Sequence, residues 1–522
     1  MRAVVSRESP GRNQLSVSTP VAVMILAAGE GTRMRSNTPK VLHRIGGRSL
    51  LHHAMHAAAG VEPTRMVVVV RHERDQVAAH ALEYAADALI ADQDDVPGTG
   101  RAVWCGLTAL DATVVAAAVA RGEVGRGEAS QVAHDGVVVV TSGDVPLVTA
   151  DVLAAMIATH EEAGNAVTVT TAHVSDPTGY GRVVRDASGQ VAAIVEHKDA
   201  STQERAITEI NAGLYVFDAA TLRAALAQLS TNNASGELYL TDVIGIARAA
   251  GKAVGAFVVP QARQVEGVND RVQLAAAGAD LNHRIVTHWM RHGVTVVDPA
   301  TTWVDATVEL AEDVTLLPGT QLYGATVVAS GAVIGPDTTL TDVEVGEGAQ
   351  VIRSHGSLAV IDAGAQVGPF SYLRPGTHLG THGKIGAFVE TKNASIGPHS
   401  KVPHLSYVGD ATIGEGSNIG AATIFANYDG ITKHHTTVGN HVRVGSDNTL
   451  IAPLTIGDGA YTGAGTTVRQ DVPPGALAIN PSQQTNVAGW VGRRRPGTPS
   501  AEAAAQADQP AAHGLPTQPD AS

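Results

Sequence analysis

Two hydrophobic patterns divide the chain. Up to about residue 267, continuous β-branched runs alternate with Ala-rich stretches whose apolar residues recur at helical spacing. Such runs are typical of strands covered on both faces, and the alternation predicts a Rossmann-like α/β domain with a parallel sheet between helices. Ligands of such sheets bind at the carboxyl ends of the strands. The predicted strands are 21–25, 66–70, 137–141 and 167–171, and the predicted helices are 41–60, 76–88 and 151–163.

From about residue 294, apolar residues instead recur every sixth position, often followed by glycine, as at Leu373, Leu379 and Ile385. This hexapeptide repeat predicts a parallel β-helix, in which each six residues form one flat side and one apolar residue points inward. The inward positions expected at the start of the repeat are Val327, Val333, Thr339, Val345 and Val351.

The repeat is interrupted between Phe425 and Val438. An excursion from a solenoid forms a loop on one face, and such a loop often carries function. The alternative is a tolerated insertion.

A helix is predicted between the two halves. Spacings of seven and four residues put Leu274, Leu281, Ile285 and Trp289 on one helical face, and Gly293 is a natural C-terminal stop. We interpret this segment as a helix that connects two domains.

Charge and composition exclude several functional classes. The 522 residues carry a net charge of −14 and show no alternation of basic and aromatic residues, which disfavours a nucleic-acid partner. The single cysteine, Cys105, excludes an intrachain disulfide and is expected to be a buried structural thiol. We expect no signal peptide, no apolar run of transmembrane length and no membrane insertion, and therefore a cytoplasmic location.

Residues 26–40 form the first candidate site. They follow a predicted strand and combine two glycines with the cations Arg33 and Lys40, as phosphate-binding loops do. A dinucleotide site is disfavoured because Met34 stands where the third glycine of that fingerprint belongs, and Arg71 follows the second strand where an acidic residue is expected. A P-loop is excluded because no Gly-Lys-Ser/Thr follows.

Asp144 lies just past another predicted strand. A carboxylate at this place often holds a divalent metal against phosphate oxygens. A turn or a helix cap is an equally good explanation of Asp144 by itself, and the neighbouring glycine-cation loop favours the metal.

Seven motifs occur in order in the first half, at residues 26–34 with Lys40, 98–100, 143–146, 179–182, 195–199, 209–213 and 265–269. Together they closely resemble those of the sugar-1-phosphate nucleotidyltransferases. Within that group, the match is to the uridylyltransferase half of the bifunctional N-acetylglucosamine-1-phosphate uridyltransferase/glucosamine-1-phosphate acetyltransferase family.

The resemblance implies roles for the matching residues. Arg33 and Lys40 would act catalytically on the triphosphate of UTP, and Asp144 and Asn269 would hold Mg²⁺. The attacking sugar phosphate is already ionised, so charge neutralisation and alignment are needed rather than a general base. The residues implied to bind UTP or UDP-N-acetylglucosamine are Leu26, Ala27, Ala28, Gly29, Lys40, Gln93, Gly98, Thr99, Ser142, Gly143, Asp144, Gly181, Glu196, Asn211 and Asn269.

The second half contains further motifs at residues 373–376, 390–392, 404–410, 418–421, 427–430, 444–447 and 464–465. These motifs resemble those of the acetyltransferase half of the same family. That family form is a left-handed parallel β-helix that assembles as a homotrimer. The resemblance implies that His404 is the base and that Glu390 orients or tunes it. The residues implied to bind glucosamine-1-phosphate are Arg374, Lys392, Tyr407 and Asn418, and those implied to bind acetyl-CoA are Ala421, Asn427, Tyr428, Ser446 and Ala464, with Lys433 near its phosphates.

The resemblance implies a bifunctional enzyme of UDP-N-acetylglucosamine synthesis, and hence a role in peptidoglycan and cell-wall formation. The rivals are a single-activity nucleotidyltransferase with a structural or regulatory β-helix, and a non-catalytic regulatory subunit. Arg101 and Pro481 depart from the family pattern. The expected domains are a disordered leader (1–19), a uridylyltransferase domain (20–267), a linker helix (268–293), a β-helix acetyltransferase domain (294–490) and a disordered tail (491–522).

Overall fold

The computed structural model describes residues 20–121, 123, 132–481 and 483–508. The leader expected at residues 1–19 lies outside the described residues, as does the expected tail beyond residue 508. The described chain forms an α/β unit, a long helix and a β-helix, in that order. The predicted domain limits stay predictions.

The strands predicted from the apolar runs of the first half are all present. The strands of this unit are β1 (Val21–Leu26), β2 (Arg44–Ile45), β3 (Arg48–Ser49), β4 (Arg65–Val70), β5 (Leu89–Asp92), β6 (Val137–Ser142), β7 (Val167–His173), β8 (Arg182–Arg185), β9 (Val191–Val195), β10 (Glu209–Asp218) and β11 (Val254–Val258). The helices up to the β-helix are α1 (Leu50–Ala59), α2 (Arg74–Tyr84), α3 (Thr99–Ala120), α4 (Ala150–Glu162), α5 (Thr202–Arg205), α6 (Ala219–Leu226), α7 (Asp242–Ala249) and α8 (Arg271–Arg291).

Apolar clusters cover both faces of the main sheet. Val23 and Ile25 of β1 belong to the cluster on one face, and Ala22 and Met24 belong to the cluster on the other. Successive side chains of a strand point to opposite faces, so a continuous apolar run is needed to fill both clusters. This confirms the predicted Rossmann-like α/β architecture.

One strand corrects the expectation of a purely parallel sheet. The strand order is β11-β7-β10-β6-β1-β4-β5, and β10 runs antiparallel to both β6 and β7. The chain leaves β7 at the carboxyl edge of the sheet and forms the β8–β9 hairpin before it enters β10. β10 therefore starts at that edge and runs back, which places Asn211, near its beginning, beside the ends of the parallel strands.

The helix predicted for residues 41–60 is shorter than expected. Residues 44–49 form the β2–β3 hairpin, whose turn holds Gly46 and Gly47 at φ values of 52° and 79°. A glycine pair favours such a turn because both residues reach positive φ without strain. α1 begins at Leu50, where the Ser49 hydroxyl accepts a hydrogen bond from the His52 backbone N–H at 3.0 Å.

α3 corrects the expectation that no apolar segment has transmembrane length. Among the described residues it is the one helix that is long and apolar enough to cross a membrane by length and composition. Its side chains Val103, Leu107 and Leu110 pack in the cluster that also contains Met24 of β1. Such packing is typical of a helix that covers a sheet. Cys105 on this helix is partly rather than fully buried.

α8 packs against both cores through one apolar face. Leu274 and Leu281 pack in a cluster with Leu50 of the α/β unit. Ile285 and Trp289, further along the same face, pack against the core of the β-helix. One helix thus buries apolar surface against both units.

The second half is built from short parallel strands. The strands up to the middle of the β-helix are β12 (Thr295–Val296), β13 (Trp303–Val304), β14 (Glu309–Leu310), β15 (Thr315–Leu316), β16 (Gln321–Tyr323), β17 (Val327–Val328), β18 (Val333–Ile334), β19 (Thr339–Thr341), β20 (Glu344–Val345), β21 (Gln350–Val351), β22 (His355–Ser357), β23 (Ala359–Ile361), β24 (Gln366–Val367), β25 (Tyr372–Leu373) and β26 (Thr377–Leu379). The remaining strands are β27 (Lys384–Ala387), β28 (Glu390–Ile396), β29 (Lys401–His404), β30 (Tyr407–Ile413), β31 (Asn418–Ile419), β32 (Ile424–Ala426), β33 (Thr436–Val438), β34 (Arg443–Val444), β35 (Thr449–Ile451), β36 (Leu454–Ile456), β37 (Tyr461–Thr462), β38 (Thr467–Val468) and β39 (Leu477–Ala478).

These strands form the sides of a prism. An 11-stranded sheet makes the first side, and a 17-stranded sheet makes the second and third sides. β28 and β30 run from the second side to the third, and each turns the corner at a residue with positive φ, Asn393 (44°) and Asp410 (48°). The run of parallel strands confirms the predicted left-handed parallel β-helix.

The start of the repeat corrects the predicted register by one residue. Val327 is 41% exposed, whereas its neighbour Val328 is 1% exposed and points inward. Between the inward residues Leu340 and Val345 the step is five rather than six, around a corner where Asp342 has φ 54°. A six-residue step counted back from Val345 therefore identifies the wrong residues in the preceding coils.

The segment expected to be a disordered tail contains helices in its described part. α9 spans Trp490–Arg494 and α10 spans Pro499–Ala507. The Thr498 hydroxyl caps α10 by accepting a hydrogen bond from the Ala501 backbone N–H at 3.4 Å. An Ala-rich run after a capping Thr and an initial Pro favours such a helix, and the predicted disordered tail stays a prediction.

Candidate functional sites

The first candidate site is a cleft of about 670 Å³ at the carboxyl ends of β1, β4, β5 and β6. The predicted nucleotide-binding residues that line it are Leu26, Ala27, Ala28, Gly29, Lys40, Gln93, Gly98, Thr99, Ser142 and Asp144. Gly143 is not one of the lining residues, and its backbone N–H donates to the Leu26 carbonyl at 2.9 Å beside the cleft.

The loop after β1 is shaped so that Lys40 crosses it. Gly31 has φ 68°, a conformation that side chains disfavour. A Cβ at this position would also overlap the side chain of Lys40. Gly31 is therefore required both by its backbone and by the close approach of Lys40.

Three segments of the chain meet at the Lys40 ammonium. It forms an ion pair with the Asp144 carboxylate and donates to Asn269 Oδ1 at 3.3 Å. Arg33 donates to the same Asn269 oxygen at 2.9 Å. Ser142 Oγ donates to Asp144 Oδ1 at 2.6 Å and holds the carboxylate in place. The predicted phosphate-binding and metal-binding residues thus form one cluster.

The oxygen atoms of this cluster suit a hard divalent cation. Asp144 and Asn269 direct side-chain oxygens at one point, which the Lys40 nitrogen contacts. Among residues 20–121, 123, 132–481 and 483–508, no group of three or more His, Cys, Asp or Glu side chains could hold a metal. Mg²⁺ is usually bound by one or two protein oxygens, with water and substrate phosphates completing its shell, so this donor set fits it.

Gly181, Glu196 and Asn211 form a second group beside the cleft. The Asn211 backbone N–H donates to the Gly181 carbonyl at 2.9 Å, and a Cβ on Gly181 would lie 3.5 Å from the Glu196 carboxylate. Burial raises the pKa of Glu196. Thr241 donates to Glu196 at 3.2 Å, and the backbone N–H of the preceding residue, Leu240, donates to the Thr99 hydroxyl at 3.2 Å. These bonds connect the group to the nucleotide cleft.

The structure adds cleft residues that sequence reasoning missed. Arg71, His72 and Glu73 line the cleft directly after β4, and the rule that ligands bind at strand ends was a signal that could have identified them. Glu237 also lines the cleft, from the loop before α7, and no pattern in the sequence pointed to it.

The second candidate site is a group of charged residues on the second side of the β-helix. Arg374 donates to Glu390 at 2.8 Å, and Glu390 is paired in register with Tyr407. The neighbouring ammonium of Lys433 lowers the pKa of Lys392, and Arg374 adds to this effect. Three cations that repel one another at one place favour the binding of an anion.

The loop that interrupts the repeat carries Lys433 to this group. The Asp429 carboxylate stabilises the loop by accepting bonds from the Ile431 and Thr432 backbone N–H groups at 2.8 and 2.7 Å. It also contacts the His434 ring at 2.8 Å, and these bonds hold the pKa of Asp429 well below its usual range. The loop is therefore built around an internal carboxylate and adds a cation to the site.

His404 stands at the base of a column of residues along one corner of the prism. Backbone bonds connect successive coils at this corner: Ala422 N–H to the His404 carbonyl at 3.2 Å, Asp447 N–H to the Ala421 carbonyl at 2.7 Å, and Gly465 N–H to the Ser446 carbonyl at 2.9 Å. The predicted acetyl-CoA residues Ala421, Ser446 and Ala464 therefore stack above His404, about 4.8 Å apart from coil to coil.

Three predicted residues lie away from this column within one chain. Asn418 is on the first side of the prism, paired with Lys401 and Arg443, whereas Tyr407 is on the second side. Asn427 and Tyr428 follow β32, at the far edge of the second side. Asn427 donates to Asp410 there. Glu390 contacts Arg374, and its predicted effect on His404 stays a prediction.

Comparison with known proteins finds relatives that match both halves of the chain. A family model described as the MobA-like NTP transferase domain matches residues 23–233. The chain is 58% identical over 490 residues to the "Bifunctional protein GlmU" of Paenarthrobacter aurescens, which covers 94% of this chain and 95% of that protein.

Two further relatives with the same name show similar agreement. The protein of Kineococcus radiotolerans is 57% identical over 94% of this chain and 96% of its own length. That of Corynebacterium efficiens is 55% identical over 93% of this chain and 96% of its own length. Because this identity extends over nearly the full length of this chain and of each relative, the chain belongs to the family of bifunctional GlmU proteins.

Proposed function

We propose that the two activities of this bifunctional transferase use the two separate sites described above. The enzyme acetylates glucosamine-1-phosphate with acetyl-CoA, and it transfers UMP from UTP to the resulting N-acetylglucosamine-1-phosphate with release of pyrophosphate. The β-helix would carry out the acetyl transfer, and the cleft of the α/β unit would carry out the uridylyl transfer. The convergence of Arg33, Lys40, Asp144 and Asn269 is the observation that carries most weight.

The uracil would be read by Gln93 together with Gly98 and Thr99. The Gln93 amide nitrogen donates to the carbonyls of Val96 at 3.0 Å and Gly98 at 3.3 Å. Both amide protons are therefore used, and the side-chain oxygen is left as an acceptor. It would accept the N3–H of uracil, which cytosine lacks. Leu26, Ala27, Ala28 and Gly29 would contact the rest of the nucleoside.

Arg33 and Lys40 would neutralise the triphosphate during in-line attack at the α-phosphorus. The nucleophile is an ionised phosphate oxygen, so the site needs cations and alignment rather than a base. Asp144 and Asn269 would hold Mg²⁺, which when bound supplies further neutralisation of phosphate charge. Gly181, Glu196 and Asn211 would hold the N-acetylglucosamine moiety, with Ser142 and Gly143 between the two substrates.

In the second site, His404 would take the proton from the 2-amine of glucosamine as the amine attacks the acetyl group. The Ala421 N–H would stabilise the oxyanion. Arg374, Lys392 and Tyr407 would bind the sugar phosphate, with Lys433 joining them since it lies beside Lys392. Ser446 and Ala464 would contact acetyl-CoA, as would Asn427 and Tyr428. Glu390 would orient or tune His404, and its bond to Arg374 would also orient that side chain.

We further propose a homotrimer formed through the β-helix. Phe370, Phe388 and Leu405 are 52%, 60% and 59% exposed, and the two phenylalanine rings stack at 5.2 Å. All three have positive φ, which bulky residues disfavour, and they lie on the corner next to His404. A neighbouring chain would cover this ridge and supply Asn418, which lies on another side of the prism.

We also propose a cytoplasmic location for the enzyme, which agrees with its proposed substrates.

Paired variants test the assignment of the two sites. We expect Asp144→Asn to abolish uridylyl transfer and keep acetyl transfer, and His404→Asn to do the reverse. CoA release and pyrophosphate release are measured separately on each purified protein. If His404→Asn retained full acetyl transfer, His404 would not be the base. Loss of both activities in a folded variant would contradict separate sites.

A further inference from the structure

Arg182 is a buried cation that the proposed mechanism does not use. It is the first residue of β8, directly after Gly181, and is 1% exposed. Its Nε is buried and makes no hydrogen bond to any residue in the described part of the chain. A buried guanidinium is costly unless its donors and its charge are satisfied, so its position calls for an explanation.

The charge of Arg182 is poorly compensated. Burial lowers the pKa of Arg182, the neighbouring Arg205 adds to this, and the attraction of Asp176 opposes both with the smallest effect. The charge of Arg185, on the same strand, is compensated, because Arg185 forms two hydrogen bonds to the Glu209 carboxylate at 2.7 and 2.6 Å. An ion pair that stabilises the fold therefore exists on this strand, and Arg182 is not part of it.

The remaining donors of Arg182 hold two chain segments. One nitrogen donates to the Tyr180 carbonyl, and another lies 3.3 Å from His197 Nδ1. A guanidinium is only a donor, so His197 Nδ1 must be the acceptor in this contact. The His197 ring is then neutral with its proton on Nε2, and its orientation is determined by Arg182.

Both segments carry residues of the proposed sugar site. Tyr180 precedes Gly181, and His197 follows Glu196. The backbone of Arg182 is in register with Ile210 on β10, next to Asn211, and with Val195 on β9, next to Glu196. Arg182 thus lies at the centre of the three segments that present the sugar-binding residues.

We propose that Arg182 is a positioning residue for the acceptor sugar phosphate, which it serves by holding the Tyr180 and His197 segments at the separation that the N-acetylglucosamine moiety requires. The inference rests on the proposed assignment of Gly181, Glu196 and Asn211 to that sugar. It identifies a determinant of acceptor binding that does not touch the substrate.

The test compares the Michaelis constants of the two substrates of uridylyl transfer. In Arg182→Met, we expect the KM for N-acetylglucosamine-1-phosphate to rise about 10- to 100-fold, since small displacements of binding groups have effects of this size. The KM for UTP should change by less than about twofold. Arg182→Lys keeps the charge but loses the two-pronged contact, so it should show most of the same defect.

Arg185→Met is the matched control on the same strand. It removes an ion pair and should lower thermal stability without a selective change in the KM for the sugar phosphate. Acetyl transfer by the same proteins reports on integrity of the β-helix. Should Arg182→Met unfold the α/β unit, His197→Phe removes the contact from the other side and is expected to raise the same KM.

Two outcomes would overturn the inference. Equal increases in both Michaelis constants would show a general structural role for Arg182. An unchanged KM for the sugar phosphate would show that Arg182 has no role in binding it. Glu196→Gln is assayed in parallel to separate this inference from the assignment on which it rests. If Glu196→Gln raises the KM for the sugar phosphate and Arg182→Met does not, only the role of Arg182 is wrong, whereas no effect in either variant contradicts the sugar site itself.

Discussion

Lys40 and Asp144 form an ion pair in the middle of the nucleotide cleft, with side chains that are only 12% and 17% exposed. Asp144 is also the carboxylate that we assign to Mg²⁺. The Lys40 ammonium and the proposed Mg²⁺ would therefore compete for the same oxygen atoms. Binding of UTP would resolve this competition, because its phosphates offer Lys40 another anionic partner.

The first prediction concerns Lys40→Met. Loss of a cation on the triphosphate should lower kcat/KM for uridylyl transfer about 100- to 1,000-fold. In the same variant, Asp144 no longer has a competing ammonium, so affinity for Mn²⁺ without nucleotide should increase, as measured by calorimetric titration. Acetyl transfer is the internal control and should not change. An unaltered affinity for Mn²⁺ would contradict the competition.

The second prediction concerns stability and Glu196. Burial raises the pKa of Glu196 in the folded protein, so folding favours its protonated form. Below the usual pKa of about 4.3, Glu196 is protonated in both the folded and the unfolded protein, and its contribution to folding stability is fully present. This contribution is lost as pH rises through the raised pKa of the folded protein. Glu196→Gln keeps a neutral side chain at all pH values.

Glu196→Gln should therefore be more stable than the parent at pH 8 by about 0.5–1 kcal/mol, and the difference should vanish near pH 4. Thermal unfolding across this pH range measures it. Glu162→Gln, the same change at an exposed position of α4, serves as the control and should have little effect. A difference in stability that persisted at pH 4 would argue against titration of Glu196.

The third prediction concerns Lys433→Met. The neighbouring Lys433 ammonium lowers the pKa of Lys392, so removal of Lys433 should raise it. The alkaline limb of the pH profile of acetyl transfer should then move to higher pH. The KM for glucosamine-1-phosphate should rise about tenfold because one charge-assisted contact is lost. Uridylyl transfer should stay the same, and an unshifted alkaline limb would count against this use of Lys433.

The fourth prediction concerns the exposed ridge of Phe370, Phe388 and Leu405. Phe388→Ser should weaken association of the chains, which sedimentation measures, and should reduce acetyl transfer more than uridylyl transfer. Leu477→Ser is a control of similar exposure, 62%, in the last strand of the β-helix. If Phe388→Ser left both the oligomeric state and acetyl transfer intact, the ridge would not be the contact between chains.

Much of the architecture was readable from local patterns. A continuous β-branched run such as residues 21–25 determines a two-sided strand, since both of its faces must be covered. A six-residue period determines a β-helix, because its inward positions repeat at every side. Short motifs such as Gly143-Asp144 identified the chemistry through their resemblance to a known family, and the cleft contains most of the residues they implied.

Local spacings therefore predicted most of the strands and helices, their order and the types of chemistry, because these depend on only a few neighbouring residues. The tertiary structure decided which side chains meet. The side of the prism on which Asn418 falls depends on the summed lengths of all preceding corners, and a five-residue step such as that from Leu340 to Val345 shifts every assignment counted across it. The approach of Lys433 to Lys392 and the burial of Arg182 likewise arise from distant segments packing together, which no local period encodes.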